Sequence, residues 1–488
     1  MLLEISQRGI SPMKATAIRM GSHDGLSDGE CKFQEQKKTI LIPEMNRIGA
    51  RLFAATLRRF DLNARALPTG KGTELGRANT SGKECYPCQV TLGDILHFMA
   101  EEKERLGRAF RAGSYVYFLP KSDGPCRFGL YNNYQRIVLD TFPELKELKI
   151  ISLTTADGYS LNGMLDRERA MELRKVGYFS LVVADILERL LWRVRPYEKE
   201  TGMTDALMEK AVERLAAAFE KKDDRKAYGR ILESLSGIIK EAKTLMKSGM
   251  PRKPRIGIVG EIFVRMHAAA NQNLVRNLEQ HGAEVVNSSL TEWVNYVSYK
   301  GLREAWKDFR LSLKQLNWRD MKACLRKTMD FGVDLSYQQF RQRQVYKKTL
   351  RLIDVAEDHK ISHLESILQE DDIYAFDVPT ESCLSVSGIL ASAKAGYDGV
   401  VNVYPFTCMP GNTTSAIIRP ALTKLGIPYL EYPCDGSFQP GREAAIRTFM
   451  YQASRHSIQA TGRRHNEKRV SSFGHRLPHR LGTVERSS

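Results

Sequence analysis

Short apolar runs alternate with helix-length amphipathic segments in this 488-residue chain, and the alternation occurs twice. Residues 39–43, 63–68, 115–119 and 148–153 have the length and composition of buried strands. Between them lie helical patterns such as Ile48, Leu52, Ala55 and Phe60, then Leu92, Ile95, Leu96 and Met99. Strands separated by whole helices have no hairpin turns to join them, so they need crossover connections and pair in parallel. After Pro251-Arg252-Lys253-Pro254 the scheme restarts with Arg255-Ile256-Gly257-Ile258-Val259-Gly260, then 284–286, 399–405 and 428–431. The expected fold class is therefore α/β: two doubly wound lobes of Rossmann or flavodoxin type, with parallel sheets and helical insertions.

The breaks in pattern divide the chain. Residues 1–38, with Gly9, Gly21, Gly25 and Gly29 and no sustained periodicity, read as a flexible lead-in. Residues 39–165 form the first lobe. Residues 166–250 are almost uninterrupted helix, with Val183, Ile186, Leu187, Leu190 and Leu191 at helical spacings, and read as a bridge. Residues 251–453 form the second lobe, interrupted by a helical insertion over about 301–369. Residues 454–488 read as a basic disordered tail.

The net charge of +17 does not by itself make a nucleic-acid reader, because seven Arg and one Lys against two Glu place +6 of it in the tail. No apolar run approaches the ~20 residues needed to cross a bilayer, and the first residues lack a signal-peptide core. A cytoplasmic location is expected, with neither a membrane nor a specific nucleic acid as partner.

Eight cysteines in such a chain are not a disulfide framework. Four loops carry five of them: Ser81-Gly82-Lys83-Glu84-Cys85-Tyr86-Pro87-Cys88, Gly124-Pro125-Cys126-Arg127, Pro405-Phe406-Thr407-Cys408-Met409-Pro410-Gly411 and Tyr432-Pro433-Cys434-Asp435-Gly436. All four follow expected strands, where α/β sheets gather ligands. The first two open expected helices, whose N-termini favour thiolate over thiol, and Lys83 and Arg127 stand ready to push the same way. A single CxxC can be a redox dithiol, half of a zinc site, a pair of cluster ligands or coincidence. Structural zinc takes four ligands from paired knuckles, and no second CxxC exists. An iron–sulfur cluster accepts scattered thiolates from separate loops, and the pattern favours one. Cys85, Cys88, Cys126 and Cys408 are the candidate ligands, with Cys434 in reserve. Cys31, Cys324 and Cys383 read as packing or surface thiols.

Glu261, at the end of a strand, is a candidate proton donor or a helix cap. Arg127 and Arg265 are candidates for contact with an anionic ligand or the cluster, and Lys83 for electrostatic support. Tyr131, Asn132 and Asn133 fall on the first turn after the Cys126 loop, where they can shape a pocket. No phosphate loop of the G-x-x-x-x-G-K-[ST] kind is present, and Gly257-x-x-Gly260 lacks the third glycine of a dinucleotide fingerprint.

Taken together, "SGKECYPC", "GPCRFGLYNNYQRIVLD", "RIGIVGEIFVR" and "VVNVYPFTCMPG" resemble the 2-hydroxyacyl-CoA dehydratase superfamily. The likeness is to the branch related to double-cubane-cluster proteins and to acyl-CoA dehydratase activases, and it runs from about Lys37 to Ala453. The resemblance implies two α/β lobes with an iron–sulfur cluster between them, a 4Fe–4S cube or a double cubane. Its ligands would be Cys85 or Cys88 with Cys126 and Cys408. It also implies a dimeric ATPase activase that carries its own 4Fe–4S cluster and forces low-potential electrons into this chain. A homodimer or a related subunit, and an acyl-CoA or a small reducible molecule as substrate, complete what it implies. The family pattern after "GEIFVR" is a polar Asn-Pro type stretch; here Met266-His267-Ala268-Ala269-Ala270-Asn271 stands instead. Two alternatives remain at this level: a cluster-bearing relay or regulatory subunit without catalysis, and a zinc-stabilised binding module.

Overall fold

The computed structural model describes residues 38–122, 124–155, 165–222, 226–378 and 380–473, with side chains to 459. The lead-in, apart from Lys38, lies outside the described residues, as do residues 474–488.

The first lobe runs β1 (Thr39–Pro43), α1 (Arg47–Arg59), β2 (Ala64–Leu67), α2 (Thr73–Ala78), α3 (Tyr86–Leu106), β3 (Tyr115–Phe118), α4 (Tyr131–Asp140), β4 (Lys149–Ile151). Three long helices follow: α5 (Arg167–Val194), α6 (Met203–Glu220) and α7 (Ala227–Thr244). The second lobe runs β5 (Arg255–Gly260), α8 (Ile262–Met266), α9 (Leu274–Gln280), β6 (Glu284–Asn287), α10 (Leu290–Lys314), α11 (Trp318–Leu350) and α12 (Ile361–Asp371). It closes with α13 (Ser382–Lys394), β7 (Gly399–Pro405), α14 (Met409–Leu425), β8 (Tyr429–Cys434) and α15 (Arg442–Phe473). The sheets have the same design: all strands parallel, in the orders β2-β1-β3-β4 and β6-β5-β7-β8. The expected α/β class with two doubly wound lobes is what the chain adopts.

Each sheet is buried on both faces. Ile40, Ile42 and Val116 point into a core shared with α1, α5, α6 and α7, while Leu41, Tyr117 and Leu119 point into one shared with α3 and α4. In the second lobe Ile256, Ile258, Val401 and Val403 face α9 and α15, and Val259 and Val400 face α10, α12, α13 and α14. At about 1.5–3 kcal/mol per buried aliphatic side chain, these residues hold the helices on both faces of each sheet.

Residues 166–250 form one face of the first lobe, where α5 to α7 pack on α1, and α5 also reaches the second lobe: its Asp185 accepts from Thr291 N at 2.9 Å and its Tyr178 donates to Asn295 Oδ1 at 2.8 Å. Two expectations need correction. The helical insertion begins at Leu290 rather than near 301, since α10 runs unbroken from its cap, where Ser289 Oγ accepts from Glu292 N at 3.1 Å. The stretch expected as a disordered tail is helical to Phe473; it is polar, but no proline interrupts it before Pro478. Among the described residues no helix is long and apolar enough to cross a membrane.

Candidate metal centre

In each sheet the strand order reverses between the first and third strands of the lobe, and the crevice outside their carboxyl ends is where such sheets hold ligands. The two crevices face one another across a cavity of about 600 Å3. The segments after β1, β3, β5 and β7 all reach it, through Asn46, Cys126, Glu261 and Cys408. Cys85, from the loop that enters α3, lines it too. Three thiols from three loops and both lobes thus share one cavity, and Cys126 and Cys408 each lie within electrostatic reach of Cys85.

The backbone settles how CxxC divides. Cys85 has φ 101° and ψ 148°, a region that glycine adopts without strain and other residues rarely occupy. That conformation turns its side chain to the cavity. Cys88, one turn on in α3, is fully buried among the core residues of the first lobe, its sulfur 3.9 Å from the Gln135 amide nitrogen. Cys434 is fully buried at the end of β8, donates to Tyr432 O at 3.7 Å and lines a separate cavity of about 420 Å3. Cys383 packs in the second-lobe core, and Cys324 is half-buried on α11.

Arg127 ties the thiol loops together. Its guanidinium donates to Lys83 O at 2.7 Å and to both Thr407 O and Thr407 Oγ1, the latter at 3.0 Å. One side chain thereby joins the Cys126 loop to those of Cys85 and Cys408. Lys83 contributes its carbonyl, while its side chain is exposed and absent from the cavity wall. Cys408 is set by close packing: a Cβ on Gly411 would lie 2.4 Å from Tyr404 Cγ, so only glycine lets the first turn of α14 settle on β7. Each sulfur has a donor of its own: the Tyr131 hydroxyl for Cys85, Phe128 N at 3.5 Å for Cys126, and Gly411 N for Cys408.

These thiols are not ionised as their helix N-termini suggested. Burial pushes Cys85 up to about 11 and Cys126 to about 12, and raises Cys408 as well; the Glu381 carboxylate adds to the shift at Cys126 and Cys408. Arg127 pulls Cys85 the other way, a smaller effect than desolvation. Loss of solvation outweighs the helix dipole here.

Glu261 caps α8, accepting from Phe263 N at 3.1 Å and Val264 N at 2.8 Å, and also lines the cavity. Across from it stands Glu381 at the start of α13, whose carboxylate accepts from Ile262 N. Burial and repulsion by Glu261 push Glu381 up to about 8, with buried Arg265 opposing. Near neutral pH the pair therefore keeps a proton. Arg265 does not reach the cavity wall; it donates to Gly260 O at 2.7 Å and Ser289 O at 3.2 Å. Glu381 carries no sequence signal beyond its place at a helix start, and only the fold brings it to the site. Asn132 instead donates to Leu119 O and the Ser152 hydroxyl, so it braces the sheet rather than the pocket.

A buried clasp holds the lobes together nearby. His267 Nδ1 accepts from Ala270 N at 2.9 Å, which leaves the ring proton on Nε2, 2.6 Å from Thr69 Oγ1; Thr69 in turn donates to Asp94. The segment that departs from the family pattern is thus an interlobe contact.

Among the described residues no three or more His, Cys, Asp and Glu side chains stand close enough to share a single metal ion. The ligands of a cube bind separate irons and stand further apart than those of one ion, so three sulfurs lining one cavity fit a cluster in donor type. Searched against known protein families and against curated proteins, the chain matches none.

Proposed function

We propose that this chain belongs to the 2-hydroxyacyl-CoA dehydratase superfamily. In this reading it is the iron–sulfur component of an ATP-dependent low-potential reductase or dehydratase-like system, fed with electrons by a partner ATPase. The observation that carries the reading is that Cys85 and Cys408, 323 positions apart in sequence, line one cavity with Cys126. Cys85, Cys126 and Cys408 would hold the cluster. When bound, it supplies low-potential electrons and an iron with an open position for a ligand.

The chain's own residues do the rest. Arg127 fixes the spacing of the three loops through carbonyls rather than through charge on the cluster. Tyr131 donates to the Cys85 sulfur, a contact of the kind that tunes a cluster's potential. Glu261 and Glu381 hold one proton between them at the wall, placed to pass it to a departing hydroxyl or a reduced product. Phe53, Phe118, Phe263 and Trp293 give the remainder of the cavity an apolar lining. A pure electron relay needs neither a cavity of this size nor a proton-holding pair, which favours the catalytic reading over the relay.

The test is anaerobic reconstitution with ferrous iron and sulfide. One cube gives about four irons and four sulfides per chain, and two give about twice that. Cys126→Ala and Cys408→Ala should each lose the signal in electron paramagnetic resonance after reduction. A wild-type protein that takes up zinc instead, or a Cys408→Ala protein with undiminished iron, ends the proposal. Turnover with the ATPase, ATP and a panel of acyl-CoAs and small reducible molecules then separates catalysis from relay.

A further inference from the structure

The α10–α11 hairpin offers a surface that neither the fold nor the cavity uses. Where the helices face each other they are tightly packed: a Cβ on Gly301 would meet the Phe331 ring at 2.6 Å, and Ala305, Ser312 and Leu335 are buried. One residue further along each helix, 100° around the axis, runs a second stripe. On α10 it holds Trp306 and Leu313; on α11 it holds Trp318, Leu325, Met329 and Phe340, with Val333 beside it. In an antiparallel pair, an equal turn from the facing positions brings both stripes to the same side. That side is opposite the base contacts, where Tyr337 donates to Lys175 O of α5 and Arg341 lies over Tyr228 of α7.

These seven side chains are 44 to 71% exposed. They amount to roughly 800 Å2 of apolar surface, beyond the ~300–600 Å2 patch of an ordinary monomer and close to the ~800 Å2 that each partner gives a stable interface. The charges on the same side are Arg310, Lys322, Arg343 and Lys347, with no acidic residue among the described residues of that face.

We propose that this face joins two copies of the chain, the hairpins packing about a two-fold axis into an antiparallel four-helix bundle. A flat two-helix apolar face is half of such a bundle, and an isologous contact needs no second kind of surface. The like charges oppose association, but they are few, exposed and screened by salt, whereas the apolar area is not. The balance has a distinctive sign: added salt strengthens this contact, while it would weaken docking on an acidic protein or an anionic membrane. The inference does not depend on iron.

Sedimentation velocity on the whole chain, free of metal, tests it. The expected result is a dimer at micromolar concentration whose dissociation constant falls between about 50 and about 500 mM salt, a range over which the Debye length shortens about threefold. Leu325→Glu with Met329→Glu should give a monomer with an unchanged melting temperature, and Trp318→Ala a weaker dimer. A monomeric wild type, a dimer that survives the double substitution, or one that dissociates as salt rises overturns the proposal. So does salt-sensitive binding to phosphatidylglycerol vesicles by a chain that stays monomeric. Loss of iron uptake in the earlier test would leave this result untouched.

Discussion

Replacing Cys85 and Cys88 by glycine, one at a time, separates the two thiols of the CxxC by the backbone on which each sits. At Cys85 the native φ of 101° is strained for any side chain, and relief of such strain is worth about 1–3 kcal/mol. Against that stand the lost burial of one CH2–SH group, about 1 kcal/mol, and the greater freedom of an unfolded glycine, about 0.5–1 kcal/mol. The terms nearly cancel, so Cys85→Gly should leave the metal-free protein within about 1 kcal/mol of the wild type. At Cys88 nothing is relieved. The residue is helical and fully buried, and lost burial, the cavity left behind and glycine's helix penalty add to about 2–3 kcal/mol. Urea melts of metal-free protein read the stabilities, and iron and sulfide analysis after reconstitution reads the site. Cys85→Gly should be stable and lack the cluster; Cys88→Gly should be destabilised and keep it. Equal destabilisation of both, or a cluster retained without Cys85, would refute the assignment of Cys85 to the cavity and Cys88 to the core.

His267 makes the lobes acid-sensitive. Burial holds it down to about 4, below the ordinary ~6.5, so its contribution is intact above pH 6.5 and is lost as pH falls toward 4. The loss reaches about 3 kcal/mol at 1.36 kcal/mol per unit. His267→Gln should be less stable at pH 7 and show a flatter profile between pH 6.5 and 4, measured as the difference from wild type in urea melts; parallel profiles would count against the clasp. Gly411→Ala forces a methyl against Tyr404, costs about 1–3 kcal/mol as overpacking and should shift Cys408. Reduced iron content with intact far-ultraviolet dichroism is the expected result, and wild-type iron content at wild-type stability the contrary one.

The sheets were legible because parallel strands buried on both faces must be largely apolar, as β7 is: every residue from Gly399 to Pro405 is buried, and its one side-chain amide, Asn402, donates to Gly411 O and Ser415 Oγ. Element ends were less so, and the misses share a cause. Pro87 and Pro410 look like loop residues in sequence, yet each occupies the first turn of a helix, where a proline's missing N–H costs nothing. Hence α3 already starts at Tyr86, inside the CxxC, and α14 at Met409, directly after Cys408. Pro433 likewise sits in β8 because that strand is the sheet edge. The cysteine loops could be found from strand ends and turn residues. Which thiol of the CxxC turns outward could not, since it follows from one unusual φ. Glu381 was invisible for a different reason: its partner, Glu261, is 120 positions away, and nothing in either neighbourhood announces the other.

The charge balance of the cavity gives the arrangement its logic. Three thiolates and two carboxylates, buried or half-buried, would repel one another in a medium that screens poorly, and among the described residues the nearby cations are engaged elsewhere: Arg127 donates to carbonyls, Arg174 pairs with Asp334, and Arg265 stands behind the carboxylates. Protons are what neutralise such a set in the absence of metal, which is why every thiol is shifted upward and the carboxylate pair retains one proton. A bound iron cluster would replace the thiol protons with metal charge and leave the carboxylate proton in place. The loops need not rearrange for this, because Arg127, the Gly411 turn and the His267 clasp already fix them across both lobes. In a zinc finger the metal creates the fold; here the fold comes first, and a metal bound at these sulfurs would have to displace the protons they hold.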